Sequence, residues 1–113
     1  METINNIKGE YGVITHEIGT WFELNLKIQS IDDNKNITAY DLTDYTPTMK
    51  IYDRENGNEL HEMTLTVSGS IISIDETIPI TKSGNYFFEV KLTHDSIADK
   101  NWKPYYGLFE IQK

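Results

Sequence analysis

The sequence predicts an all-β protein, an antiparallel β-sandwich of about seven or eight short strands. Three observations support this class. Apolar and polar residues alternate with a period of two in several runs, as in strands that bury one face. Glycine, asparagine and aspartate, which favour turns, separate these runs at fairly even intervals. Evidence for helix is confined to Thr93–Trp102, which has room for a single turn.

Residues 1–18 have the least regular pattern in the chain. Their one alternating run, Tyr11–Thr15, predicts a short strand. We interpret residues 1–18 as an N-terminal arm or edge strand, which either reaches a neighbouring subunit or lies along the edge of the sandwich. Residues 19–113 are then expected to form the sandwich, because a chain of 113 residues commonly folds as one domain.

The clearest strand pattern lies at Thr20–Gln29, where every second residue is apolar. Trp21 falls on the polar face of this strand. The side chains expected to point into the core are those of Phe22, Leu24, Leu26 and Ile28. A shorter run at Asn36–Tyr40 predicts the next strand.

The middle of the chain predicts three short strands separated by turns. Met49 and Ile51 are expected to point inward from the first of these strands. Asn56-Gly57 favours a turn after it, and Ser68-Gly69 favours a two-residue hairpin turn between the other two. The three predicted strands are Thr46–Arg54, His61–Val67 and Ser70–Asp75.

The last two strands carry most of the aromatic residues. Gly107 lies in the inward face of the second and indicates a bulge or a close backbone approach. Phe87 falls on the polar face of the first. The predicted strands are Asn85–Thr93 and Tyr105–Gln112, with inward side chains Tyr86, Phe88, Val90, Leu92, Tyr105, Phe109 and Ile111.

The composition excludes several classes of partner. Ten Lys and Arg residues against 18 Asp and Glu residues give a net charge of -8 at pH 7. Nucleic acids and anionic membranes are bound through basic patches, so neither is expected as a partner. Docking onto a basic protein surface fits this charge. No cysteine is present, so disulfides and thiolate metal sites are excluded.

Patterns typical of catalysis or metal binding are not found in the sequence. The three histidines are isolated, without the spacing of a zinc site. Asp41 and Asp44 are close enough to share a cation, but aspartate and threonine are also ordinary turn formers, and we assign this stretch to the fold. No nucleophile motif such as Gly-x-Ser-x-Gly occurs. We therefore predict a non-enzymatic protein with no catalytic residue, no metal ligand and no cofactor.

Aromatic residues are the remaining candidates for function. Three explanations stay open for rings on nominally polar faces: a loop or terminus covers them, they form a protein interface, or they stack on sugars. Tyrosine and tryptophan are enriched at protein interfaces, so we predict contacts with other proteins at this set of residues. The set consists of Trp21, Tyr45, Tyr52, Phe87 and Trp102.

The order of motifs along residues 20–113 resembles a known family. The motifs are FELNLKI (22–28), DLTDYTPTMKIYDR (41–54), Asn56-Gly57, SIISID (70–75), SGNYFFEVKL (83–92) and YGLFEIQ (106–112). In this order they resemble the Ig-like β-sandwich at the N-terminus of phage baseplate upper proteins, which also occurs in small tail, neck and head-fibre proteins. The resemblance implies an Ig-like topology for residues 19–113 and carries no catalytic residues.

The resemblance implies a bacteriophage virion structural protein. The expected role is an adaptor or decoration subunit of the tail, baseplate, neck or capsid, with other phage structural proteins as partners in a symmetric multi-copy assembly. No signal peptide pattern is visible at the N-terminus, so synthesis in the host cytoplasm and a final location in the virion are expected. The alternative is a carbohydrate-binding module that uses exposed aromatic rings on a glycan.

Overall fold

The computed structural model describes residues 2–4, 10–31, 34–39 and 41–113. These residues form ten strands and one turn of 3-10 helix at Ala98–Lys100. The strands are β1 (Glu2–Ile4), β2 (Glu10–Glu17), β3 (Trp21–Ile31), β4 (Ile37–Ala39), β5 (Tyr45–Tyr52), β6 (Glu59–Glu62), β7 (Leu65–Ser68), β8 (Ile71–Thr77), β9 (Gly84–His94) and β10 (Trp102–Gln112). Tyr40, the last residue of a predicted strand, lies outside the described residues.

The strands form two sheets of five strands each. The first sheet has the order β1, β3, β8, β7, with β4 also paired to β3. The second has the order β2, β10, β9, β5, β6. The inward side chains of both sheets meet in one apolar cluster. The prediction of an all-β sandwich is therefore confirmed, and the described residues contain more strands than the seven or eight expected.

The core forms where the period-two pattern of the sequence is strongest. Phe88 lies near its centre, with its ring centroid 4.9 Å from that of Tyr105 and 6.3 Å from that of Phe109. Burying a large apolar side chain of this kind stabilises a fold by roughly 1.5–3 kcal/mol. The other buried apolar residues of the cluster are Ile14, Phe22, Leu26, Ile28, Leu42, Met49, Ile51, Met63, Ile72, Ile74, Ile78, Val90, Leu92 and Ile111.

The prediction of one strand at His61–Val67 is wrong. The chain crosses between the sheets at Met63 and Thr64, so that β6 belongs to the second sheet and β7 to the first. Met63 is buried at this crossing, and its N–H donates to the carbonyl of Met49 over 2.8 Å. Uninterrupted alternation would place Val67 on the same face as Met63, but Val67 is exposed because the change of sheet breaks the alternation.

Glu76 of β8 holds this crossing in place. Its carboxylate lies 2.5 Å from Nε2 of His61 and accepts the backbone N–H of Thr64 over 2.8 Å. Burial alone would raise the pKa of Glu76, but the hydrogen bonds from His61 and Thr64 outweigh it and hold that pKa below its ordinary value. The two sheets are thus linked by a polar contact as well as by the core.

Two strand pairs are parallel, whereas the sequence predicts an antiparallel sandwich. β1 pairs with β3 and β2 pairs with β10 in parallel register, and the other pairs are antiparallel. A tight hairpin forces antiparallel pairing on the two consecutive strands that it joins. Neither parallel pair is joined by a hairpin, so both are free to pair in parallel. β2 lies along the edge of the second sheet and buries Ile14, so residues 10–17 are part of the sandwich.

Two glycines allow β2 to lie against β10. Gly12 and Gly107 are partners in the parallel register, and Gly107 has φ 150°, which favours glycine. A Cβ atom on Gly107 would overlap the carbonyl oxygen of Gly12. A Cβ atom on Gly12 would overlap the ring of Tyr105, which is buried beneath it. The close backbone approach that the sequence predicts at Gly107 is confirmed.

Replacing Gly107 with alanine is expected to lower the free energy of unfolding by about 3 kcal/mol or more, because a methyl group cannot fit against β2 without breaking the pairing. Gly69→Ala is the matched control. Gly69 also has a positive φ of 61°, but a Cβ there meets nothing within 4 Å, so only about 1 kcal/mol of backbone strain is expected. Urea denaturation measures both variants, and equal losses would contradict this account of Gly107.

His16 makes the stability of the fold depend on pH. It is buried on β2, with its ring centroid 5.3 Å from that of Phe22 and 6.5 Å from that of Phe109. Burial lowers the pKa of His16 below its usual 6.5, and the neighbouring charge of Glu17 opposes this only in part. The folded state therefore holds the ring neutral while the unfolded chain binds a proton more readily.

The free energy of unfolding is expected to fall as pH drops below about 6.5, because protonation of His16 favours the unfolded chain. In the His16→Leu variant this part of the pH dependence should disappear, and the curve between about pH 7 and pH 5 should be flatter. Urea denaturation at a series of pH values measures the two slopes. A variant whose slope equals that of the unmodified protein would show that His16 is not the titrating group.

Candidate functional site

Four apolar side chains form a line across the outer face of the second sheet. Val13 on β2 is the register partner of Leu108 on β10. Leu108 is in turn opposite Phe87 on β9, and Phe87 is opposite Tyr52 on β5. We call these four residues the apolar row. Their sequence neighbours on the same strands are buried in the core, so alternation directs the row outward.

A second line of side chains runs beside the apolar row. Tyr11 on β2 is the partner of Tyr106 on β10, and their ring centroids lie 5.8 Å apart at 78°. Tyr106 is the partner of Glu89 on β9, which is the partner of Lys50 on β5. The line therefore changes from aromatic to charged across the sheet. Tyr11 is 63% exposed, so the apolar surface reaches the very edge of the sheet.

A shallow depression of about 440 Å³ lies over the ring of Phe87. The turn after β5 forms one wall, where Asn56 has a positive φ of 58°. Lys103 forms another wall, and its Nζ lies 3.0 Å from a carboxylate oxygen of Glu89. The depression thus combines an aromatic floor with an ion pair and an amide at its rim.

The charges around the row are mostly paired within the protein. Lys50 Nζ lies 3.0 Å from Glu59 and 3.8 Å from Glu62 on the neighbouring edge strand β6. The hydrogen bond with Glu59 is the main cause that raises the pKa of Lys50 above its ordinary value. One lysine faces two carboxylates here, so this border of the row keeps a net negative charge.

The structure brings together two of the five predicted contact residues. The rings of Tyr52 and Phe87 lie side by side in the apolar row, with centroids 6.3 Å apart and a tilt of 46°. Trp21 is 61% exposed on the first sheet, and its indole N–H donates to the carboxylate of Asp75. Tyr45 and Trp102 are half-buried and pack against the core.

No local pattern in the sequence indicates that Val13 and Leu108 belong to the same surface. Val13 lies in the irregular N-terminal segment, and its outward direction follows only from the burial of Ile14 beside it. Leu108 occupies the polar side of the alternation in β10, which is the signal that identifies it. Their proximity depends on the parallel pairing of β2 with β10, which has no local sequence signature.

The stretch around Asp41 forms a corner of the fold. The Asp41 carboxylate accepts the backbone N–H of Thr43 over 2.9 Å and its hydroxyl over 2.5 Å. These hydrogen bonds, the hydroxyl's foremost, lower the pKa of Asp41 below its ordinary value. Leu42 between them is buried, and its carbonyl accepts the N–H of Tyr45, which starts β5. The corner aligns β5 for its place in the second sheet.

Two further findings concern the described residues as a set. No group of three or more His, Cys, Asp or Glu side chains converges on a point suitable for a metal ion within the described ranges. No helix in that part of the chain is long and apolar enough to cross a membrane.

Comparison with protein-family models, with curated proteins and with solved structures finds no match.

The pKa of Tyr52 reports how well the apolar row is shielded from water. Burial raises this pKa above its ordinary value of 10.0, the charge of Glu89 adds to the effect, and Lys50 opposes it. The absorbance titration of the unmodified protein minus that of Tyr52→Phe isolates the phenol of Tyr52. We expect its midpoint above pH 10.0.

Two charge variants test the same environment. Glu89→Gln should lower the pKa of Tyr52, because a negative charge that opposes ionisation is removed. Lys50→Met should raise that pKa, because a stabilising positive charge is lost. A midpoint that neither variant moves would mean that the Tyr52 side chain lies away from the row.

Proposed function

We propose that this chain is a non-enzymatic structural protein of a bacteriophage virion. It acts as an adaptor or decoration subunit of the tail, baseplate, neck or capsid, and it docks onto other virion proteins through the outer face of its second sheet. The observation that carries the proposal is the apolar row, which crosses four adjacent strands on the outer face of the sheet, with Val13 exposed and Leu108, Phe87 and Tyr52 half-buried.

A continuous apolar line on an outer sheet face is typical of an interaction site. Isolated apolar side chains on a surface are ordinary, but contiguous ones with a polar rim mark places where proteins meet. The row has an aromatic residue near its centre, Phe87, and a second at its β5 end, Tyr52, and paired charges lie at its border, in Glu89 and Lys103. Interfaces have the same arrangement of an aromatic centre inside a charged rim.

The charge of the chain indicates what kind of surface it meets. The net charge is -8, and the β6 border of the row carries Glu59 and Glu62 against the single positive charge of Lys50. A partner with an apolar groove and a basic rim would complement this face. Opposite charges of this kind accelerate association and orient the partner, and the effect weakens as salt rises.

The assignment to a virion rests on the ordered motifs of residues 20–113 and on the kind of work that such a surface does. A small sandwich with no visible catalytic motif acts by holding neighbours in position. In a symmetric particle each weak contact is repeated in many copies, so a modest interface on each subunit is enough for stable attachment. The Ig-like topology implied by the resemblance forms part of this proposal.

The geometry of the rings favours a protein partner over a glycan. A sugar-stacking platform presents rings in one plane, on which a flat pyranose ring can lie. The rings of Tyr52 and Phe87 are tilted by 46°, and those of Tyr11 and Tyr106 by 78°. Such an uneven surface suits interdigitating side chains, as in a protein interface.

Phe87→Ser should reduce incorporation of the chain into particles by about tenfold or more, because central aromatic residues of an interface contribute roughly 2 kcal/mol or more to binding. The experiment supplies the variant to a phage whose own copy of the gene is deleted and counts the chain in purified particles by quantitative mass spectrometry. Lys91→Ser is the matched control, since Lys91 lies on the same strand and face but outside the row.

Each outcome decides a separate part of the proposal. A chain that is absent from purified particles would overturn the virion assignment. A chain that is present, but for which Phe87→Ser and Lys91→Ser incorporate equally, would overturn the docking face. Loss of incorporation in Trp21→Ser alone would move the interface to the first sheet. Binding to a polysaccharide panel that Phe87→Ser abolishes, with no chain in the particles, would establish the carbohydrate-binding alternative.

A further inference from the structure

β2 presents an open edge that is unusual in its lack of protection. It is the outermost strand of the second sheet, and only β10 pairs with it among the described residues. An outermost strand has a row of N–H and C=O groups that point away from the sheet and can pair with another strand. β2 has eight residues, which is long for such an edge.

The opposite edge of the same sheet, β6, is protected from pairing with other strands. β6 has only four residues, and Glu59 and Glu62 are exposed charges along it. Charged side chains and short length are the usual devices that keep sheet edges from pairing. β2 has charged residues only at its two ends, Glu10 and Glu17, and the six residues between them include no proline, lysine or carboxylate.

We propose that two copies of this chain associate through β2. The β2 strands of the two copies pair antiparallel about a twofold axis that passes through Val13. The two second sheets then become one continuous sheet of ten strands. This inference goes beyond the docking function proposed above and does not require it. The partner at the β2 edge is a second copy of this chain, whose own β2 runs in the opposite direction.

The side chains of β2 fit each other in this register. With Val13 opposite itself, Tyr11 lies opposite Thr15 of the other copy on the outer face. Aromatic and β-branched residues make favourable cross-strand pairs. Tyr11 and Val13 are 63% and 55% exposed in the single chain, so pairing would remove apolar surface from water.

The apolar row supplies the second argument for a second copy. The row ends at Val13, at the edge of the sheet. Because the twofold axis passes through Val13, the rows of the two copies meet end to end and form a single line through eight strands. Any other antiparallel register would place the two rows out of line. The surface is therefore self-complementary in one register.

The charge distribution on β2 permits this pairing. Glu17 lies four residues from Val13 along the strand, which is about 13 Å from the axis at the usual rise. The Glu17 side chains of the two copies are then separated by more than the Debye length of about 8 Å at physiological salt. The remaining repulsion comes from the net charge of -8 on each copy, so salt should strengthen the association.

Charge exchange at Val13 tests the register. The Val13→Glu and Val13→Lys variants should each be monomeric, because like charges would face each other directly across the axis. A mixture of the two should recover the dimer, because opposite charges then meet. Analytical ultracentrifugation over a range of concentrations measures association, and circular dichroism checks that both variants are folded. The unmodified chain should dimerise at least about tenfold more tightly at 1 M than at 0.15 M salt.

Thr66→Glu and Thr66→Lys are the matched controls, because Thr66 is exposed on β7, the corresponding edge of the first sheet. They should dimerise like the unmodified chain. The proposal is overturned if the unmodified chain stays monomeric up to millimolar concentration, if the Val13 variants still dimerise alone, or if their mixture does not recover the dimer. Dependence on Thr66 in place of Val13 would move the interface to β7. A dimer that forms while particle incorporation fails leaves only the docking function refuted.

Discussion

The contact between Gly12 and Gly107 is the constraint on which the place of β2 in the second sheet depends. The two backbones approach so closely that a Cβ atom on Gly107 would overlap the carbonyl oxygen of Gly12, and the side chain of Tyr105 leaves no room for a Cβ atom on Gly12. The ring of Tyr105 fills the space beneath Gly12 and continues into the aromatic core with Phe88. Without this approach β2 would not pair with β10, and β9 and β10 would still form a sheet with β5. Ile14 and His16 would leave the core, and the outer face would lose Val13.

The two faces of the second sheet arise from the same alternation. On β9, Phe88 points into the core and Phe87 points outward, one residue apart. The other outward residues of β9 include Glu89 and Lys91, so the apolar part of this face is confined to the row. This sheet is covered on one side only among the described residues. The apolar surface runs in a line, and it is the surface on which we propose that a partner protein docks.

Local patterns explain most of what could be predicted from the sequence. Alternating runs of the sequence became β3, β5, β8, β9 and β10, and the inward residues expected on β3, β5, β9 and β10 are buried or half-buried, because alternation and burial are tied within a single strand. One alternating run is divided between the two sheets at Met63, and the alternation alone could not show where the chain crosses from one sheet to the other.

The candidate surface was less predictable because it depends on long-range pairing. Tyr52 and Phe87 were identified as separate rings, whereas their alignment with Leu108 and Val13 needs the register of three strand pairs. The predicted contacts Tyr45 and Trp102 lie at strand ends, where a half-buried ring against the core looks the same in sequence as an exposed one.

The pairing of β2 with β10 also governs the order of folding. Among the described residues, every sheet partner of β2 lies at residues 105–112, so this early strand has none until β10 has left the ribosome. Joining segments so far apart in the chain is entropically costly and slow. The edge strand is therefore the final piece of the sheet to be added during synthesis, and a nascent chain carries it unpaired.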